Sequence, residues 1–295
     1  MSRESKTSWT RRRFLARTLR LSVGALLASE AADLLDASPL GGSIGIQLYA
    51  VKDPLQADPA RTLQTIRQIG FTEVETAGLP GLSAEQFHKL LEDAGLKCPS
   101  AHLQFDAGNL GPAFEQAHAL GAHYAASGSL RAAPATGGMS LDEARRTADL
   151  ANRIGAEAQR AGLQFVYHNH DFEFAEQPGG IGYDLLLKET DPALVQFEID
   201  CGWMTLGGRD PRDYFARYPG RFPLIHVKDF LPTALPSGEH PGAKLGHGMI
   251  NYGPIFAAAE KAGLRHYFAE QEGPFTRMSP LDAARQAYAY LHKLR

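Results

Sequence analysis

Three short segments of the chain share one layout: Ala94-Gly95-Leu96, Ala161-Gly162-Leu163 and Ala262-Gly263-Leu264 each close a helical run on glycine and open an apolar, extended one. Glycine takes the left-handed backbone that ends a helix without a Cβ clash, so the layout marks the turn from helix to strand in a repeated βα unit. Gly70 and Gly121 fit the same scheme. Between these marks, β-rich runs predict strands at 44–49, 71–75, 98–103, 124–127, 164–168, 196–200, 224–227 and 266–270. Helices are predicted to open at Asp58-Pro59, at Ser83 with Gln86 and at Ser140 with Glu143, the last two as capping boxes. Further helices lie near 112–120 and toward Arg295. Eight such units in about 250 residues predict an α/β fold, a single-domain (β/α)8 TIM barrel over 43–295. The competing arrangement is a doubly wound open sheet, which would require a glycine-rich phosphate loop after the first strand; none is present.

The first forty residues have a different pattern. Thr10, three arginines at 11–13, Phe14 and Leu15 precede a mildly apolar run from Leu21 to Ala28, and Ser29-Glu30-Ala31 offers a small-x-small cleavage site. This order predicts a twin-arginine (Tat) export signal over 1–31, a linker over 32–42, and a periplasmic or otherwise exported protein that engages the Tat machinery. The alternative is a basic tail with adjacent arginines by chance. The run is too short to span a bilayer, which takes about 20 apolar residues, so no membrane anchor is expected after cleavage. Twin-arginine export serves proteins that fold, and often load a cofactor, before crossing.

A formal net charge of -3 and the absence of a basic stripe exclude nucleic acid as an expected partner. Two cysteines, Cys98 and Cys201, are too few for a disulfide framework; each falls in an apolar, strand-like segment and reads as a small buried hydrophobe.

A barrel builds its active site at the carboxyl ends of its strands. Those ends carry Tyr49 (with Lys52 beyond), Glu75, His102, His168, Asp200, His226 and Glu270. One histidine in such a place is as often a hydrogen-bonded core residue as a ligand. Several ionisable groups converging on one mouth are another matter, because they leave buried charges uncompensated unless a cation or substrate satisfies them.

These residues resemble the sugar phosphate isomerase/epimerase group of xylose isomerase-like TIM barrels, over essentially the whole chain after the signal. The resemblance implies four metal ligands at the ends of strands five to eight, usually Glu, Asp, His, Glu. The matching positions are His168 in Val166-Tyr167-His168-Asn169-His170, Asp200 in Glu198-Ile199-Asp200, His226 in Ile225-His226-Val227-Lys228-Asp229, and Glu270 in Phe268-Ala269-Glu270-Gln271-Glu272. Strand five departs from the pattern, with histidine in place of glutamate and His170 on the same face. Two ligand glutamates flank the substrate in the family's isomerases and move protons on opposite sides of it; that symmetric shuttle is missing here. A single base, Glu270, remains, with Glu173, His170, His102 and Lys228 as partners, and one base beside a Lewis acid suffices for elimination. Imidazole and carboxylate ligands without thiolate favour one divalent ion, manganese first, with Co, Zn, Fe, Ni or Mg also admitted.

Around this centre, Lys228 is expected to stabilise an enediolate or keto oxygen or, alternatively, to pair with Asp229 or another acid. Tyr49 and Trp203 form an apolar wall for a sugar face, or pack the rim. Glu75 is expected to bind substrate. The long loop 230–251 contains Gly246-His247-Gly248, where His247 reaches the substrate or solvent, and Glu272 orients a ligand or sits on the rim. Without an arginine cluster at the strand ends, the expected substrate is a non-phosphorylated carbohydrate, keto-sugar glycoside or cyclitol. The resulting expectation is a metal-dependent isomerase or epimerase, with a lyase or hydratase acting on a 3-keto-glycoside or inosose as the alternative. An exported sugar-binding protein is the non-enzymatic rival, and the oligomeric state is open.

Overall fold

Eight parallel strands close on themselves in the computed structural model, which describes residues 42–128, 130, 138–271 and 278–294. They are β1 (Gly45–Gln47), β2 (Glu73–Ala77), β3 (Lys97–His102), β4 (Tyr124–Ser127), β5 (Gln164–His168), β6 (Val195–Asp200), β7 (Leu224–Val227) and β8 (His266–Ala269). Each pairs with its sequence neighbours, and β8 pairs with β1 to complete the (β/α)8 barrel. The glycines that mark the repeat do what their position implies: Gly95, Gly162 and Gly263 have φ of 70, 75 and 95° at the ends of helices.

Both capping boxes form, with the hydroxyls of Ser83 and Ser140 accepting from the backbone N–H of Gln86 and Glu143. Apolar stripes of the helices cover the outside of the sheet. The 20-residue helix Leu141–Arg160 turns Ala144, Ala148, Ala151, Ile154 and Ala158 fully inward, and small side chains there let it lie close against the strands. Fully buried Phe165, Phe197 and Phe222 fill the layer between, each contributing roughly 1.5–3 kcal/mol by its burial.

Inside the barrel, Tyr124, Ala126, Val166, Leu224 and Phe268 form a separate apolar plug. Side chains along a strand alternate, so the residues two positions on from the plug point the same way, one layer nearer the mouth. Val166 is thus followed by His168, Leu224 by His226, and Phe268 by Glu270.

Several local expectations need correction. Strand β1 stops at Gln47, because the Gln47 side chain accepts from the Tyr49 N–H (3.1 Å) and caps a short 3-10 turn, Leu48–Val51. Strand β2 runs on to Ala77. Cys201 is not in a strand: Asp200 caps it into the helix Cys201–Leu206 by accepting from the Trp203 N–H at 2.9 Å. A hairpin of Glu176–Gln177 with Gly180–Ile181 was not expected, since two residues per strand are too few for alternation to register. The signal at 1–31 and the linker, apart from Gly42, lie outside the described residues, as does Glu272. Among the described residues no helix is long and apolar enough to cross a membrane.

Candidate active site

Residues of β2, β3, β5, β6 and β7, with Glu270 just past β8, meet beneath the carboxyl mouth of the barrel around the imidazole of His226, which is fully buried. Its two nitrogens face different layers. Toward the mouth, Nδ1 lies 3.0 Å from Glu270 and 4.0 Å from Asp200; beneath, Nε2 lies 2.6 Å from Glu75 and 3.2 Å from Glu198. Lys228, one strand period after His226, brings its ammonium 3.1 Å from Glu270 and 3.5 Å from Asp200.

The lower layer joins Glu75, Glu198, His102 and His168. One oxygen of Glu198 is 2.7 Å from His102 Nε2 and 3.3 Å from His168 Nδ1. Glu75 is held by Gln47 (2.8 Å), by the Ser100 hydroxyl and by His226. Donor atoms therefore converge in two groups that share His226, namely Asp200/His226/Glu270 and His102/His168/Glu198/His226, each within 4.8 Å. The four sequence-expected ligands straddle these groups, with His168 in the second.

The electrostatics follow from burial and these neighbours. Burial opposes charge on every group here, yet the surrounding carboxylates raise His226 well above the ordinary imidazole range. His102 is likewise raised to about 10, with Glu75 and Glu198 outweighing burial. The matching carboxylates fall: Glu198 to about 2 and Glu75 and Glu270 well below the usual range, the imidazoles (with Lys228 for Glu270) overcoming desolvation. Asp200 is raised to about 6 by burial and by Glu270, against the pull of Lys228. His170 drops to about 4 through burial and the Lys228 charge, and His168 is lowered well below the ordinary imidazole range by burial and His226.

A cavity of about 730 Å³ opens above this centre, and Glu270, His102, His168, His170, Trp203 and Tyr49 line it. Tyr49 is 40% exposed, its hydroxyl accepting from Lys52 at 2.9 Å. Two expected substrate contacts, Glu75 and His247, are placed elsewhere, and Lys228 takes the expected ion pairing with acids other than Asp229. Glu75 is fully buried below the cavity, where it orients His226 and has no surface for substrate. Lys228 is 2% exposed, 4.7 Å from the Trp203 ring and turned to the two carboxylates; it does not pair with Asp229. His247 is exposed on its loop and outside the cavity lining.

Asp229 has its own task, accepting from the backbone N–H of Phe230, Ile250, Gly246 and Gly248 at 2.9–3.2 Å and so tying the 230–251 loop to the end of β7. Glu173 is buried away from Glu270, taking the Tyr167 hydroxyl (2.9 Å) and the His170 N–H (3.0 Å). Asn169 accepts from the Asp200 N–H at 3.0 Å and pins β5 to β6. Sequence reasoning missed Glu198. The available signal was its position two residues before Asp200, on the same inward face of a strand otherwise built of Val, Phe and Ile.

The donor set suits a divalent ion. Asp200 Oδ2, His168 Nδ1 and Glu198 Oε1 are buried without a hydrogen bond, and buried polar atoms normally have one. Imidazole and carboxylate at this spacing are ligands for a first-row metal or magnesium.

Taken together, the closed barrel and the histidine–carboxylate centre at its carboxyl mouth define a (β/α)8 protein with an enzyme-like site. The chain belongs to the xylose isomerase-like TIM barrel family, whose model matches residues 63–294. Over 164 residues it is 32% identical to an inosose dehydratase of Lacticaseibacillus casei, covering 51% of this chain and 54% of that protein. The chain thus matches about half the length of its curated relatives. A sugar phosphate isomerase/epimerase structure from Parabacteroides distasonis superposes with a TM-score of 0.71 at 27% identity, covering 85% of this chain and 94% of that one. A xylose isomerase-like TIM barrel protein of Mycobacterium smegmatis, solved in complex with magnesium, shares the fold at TM-score 0.60 and 18% identity, covering 81% and 88%.

Proposed function

We propose that this protein is a metal-dependent lyase that eliminates a β-oxygen next to the carbonyl of a polyhydroxylated ring ketone, of the inosose or keto-sugar class. The observation that carries this reading is the cavity wall: Glu270 is the one carboxylate lining it among the described residues, and it shares the cavity with three imidazoles. One base and one acid suffice for elimination, whereas the two-carboxylate shuttle of a symmetric epimerase has no second carboxylate among the described residues of the cavity wall. The inosose dehydratase relatives support the same chemistry.

Asp200, His226 and Glu270 would hold the ion, and His168 belongs to the neighbouring donor group that shares His226 with them. When bound, it supplies Lewis acidity toward a carbonyl and the neighbouring hydroxyl. Glu270, kept ionised by Lys228 and His226, removes the proton beside the carbonyl; both of its ion-pair contacts fall on Oε2. His102 carries a proton to deliver, because Glu75 and Glu198 stabilise its charged ring. Its Nε2 is bound to Glu198, while Nδ1 faces Gly128 on the cavity wall so closely that a Cβ there would come within 2.9 Å. His170, with its lowered pKa, stays neutral and hydrogen-bonds a ring hydroxyl.

The test uses metal-reconstituted protein with an inosose and a 3-keto-glucoside, following ultraviolet absorbance of the conjugated product and deuterium uptake from D2O. A conjugated product that disappears with Glu270→Gln supports elimination. Deuterium exchange without elimination points to the epimerase reading, which the Parabacteroides structure's description and His170 as a second base support. Sugar binding with neither points to the binding-protein reading. Export by the twin-arginine route belongs to the same proposal and rests on residues 10–31; Arg11→Lys with Arg12→Lys, the pair that precedes x-Phe14-Leu15, should retain the protein inside the cell.

A further inference from the structure

The cavity is larger than the ring that the proposed reaction needs. Its volume is about 730 Å³. A six-carbon ring ketone has about twelve non-hydrogen atoms and fills at most about 360 Å³, even at the ~30 Å³ that a water molecule takes up in the liquid.

The surplus lies to one side of the reacting groups. Beyond Tyr49 and His102 the wall consists of Leu79 after β2, Leu103 and Gln104 after β3, and Pro112, Ala113 and Gln116 at the helix Gly111–Ala119. Leu103 and Ala113 are buried apolar side chains, Leu79 is half-buried, and the two glutamines supply amides. Among the described residues no charged side chain lines this arm. A groove of about 120 Å³ shares Tyr49 and Leu79 with it and extends it to Leu55 and Pro80, with Lys52 as the charged side chain at its edge.

We infer that the arm is a subsite for a second group of the substrate, uncharged, of ring size and with one apolar face, joined to the reacting ring through a glycosidic oxygen. This rests on the elimination reading and narrows it: the substrate is a keto-glycoside, and the group in the arm is the one that leaves. Glu270 takes the C2 proton, the C1–O bond breaks, a C1=C2 double bond forms in conjugation with the C3 ketone, and the departing oxygen takes the proton that His102 carries and leaves as a hydroxyl compound. Electrons balance without an oxidant. An apolar wall favours a group whose face is taken out of water, and amides at its edge bind uncharged oxygens.

The experiment compares methyl and cyclohexyl 3-keto-β-D-glucopyranoside, whose leaving groups are both alkanols, by kcat/KM and by calorimetric binding, in the metal-loaded wild type and in Gln116→Trp and Leu79→Ala. Melting temperature and metal content check that each variant is folded and loaded. A cyclohexyl-over-methyl preference of at least about tenfold in the wild type that collapses in both variants supports the subsite. Equal use of the two glycosides, or a preference that survives both substitutions, overturns it. No turnover of either glycoside, with the binding preference intact and lost in the variants, sinks the elimination chemistry while leaving the subsite standing.

Discussion

The carboxylate of Glu75 lies 2.6 Å from Nε2 of His226, on the side of the ring away from the cavity. It therefore fixes which imidazole nitrogen is left for the upper layer, the role that carboxylates beneath ligating histidines commonly fill. Glu75→Ala should lower divalent-metal affinity by about 10–100-fold. Metal retained after dialysis, measured by elemental analysis, checks this. Retention equal to wild type would show that His226 needs no support from below.

Lys228 lies against Glu270, where its charge helps to keep the carboxylate ionised. In Lys228→Met the burial cost remains and this compensation is gone, so the Glu270 pKa rises. The acid limb of the kcat/KM profile should move upward relative to wild type. A profile that falls uniformly at every pH would argue against this role.

Glu173 gives a pH signature in stability. Burial lifts its carboxyl from an ordinary 4.5 to about 7, against the hydrogen bonds it receives. The folded state thus holds a proton that the unfolded state has released between these values, and stability declines as pH rises through that window. The decline is at most ~3 kcal/mol and is complete above pH 7. Glu173→Gln can still serve Tyr167 and His170 and should flatten the window, as read by denaturant unfolding at pH 5 and pH 8.

Asp229 holds four backbone N–H groups of its own loop region. Asp229→Ala leaves them without their acceptor, at a cost of about 2–3 kcal/mol. Limited trypsin digestion should then cut at Lys244 faster than in wild type. An unchanged cleavage rate would mean that the loop is held by other contacts.

Metal removal is the broadest check. A chelator should lower the melting temperature and abolish turnover, and re-addition of Mn or another divalent ion should restore both, since a ligand that binds only the folded state stabilises it. His168→Ala and Glu270→Ala should each retain less metal than wild type.

The sequence alone determined the repeat and therefore the barrel. Glycine at helix ends, serine with Glu or Gln three residues on, and alternation along strands are local features, and local geometry is sufficient to place them. The polar residues at the strand ends were legible for the same reason. Which of them meet was decided by the tertiary structure: closing the barrel fixes the register between strands, so that Asp200 pairs with His226 across β6 and β7 while Phe268 lies beside His226 on β8. That register stacks the inward groups in two layers, making Glu75 and Glu198 supports beneath His226 and leaving Glu270 open to the cavity. Strand alternation says which face a side chain occupies; only the closed sheet decides its depth and its partners, and depth is what separates a supporting carboxylate from one that can reach a substrate.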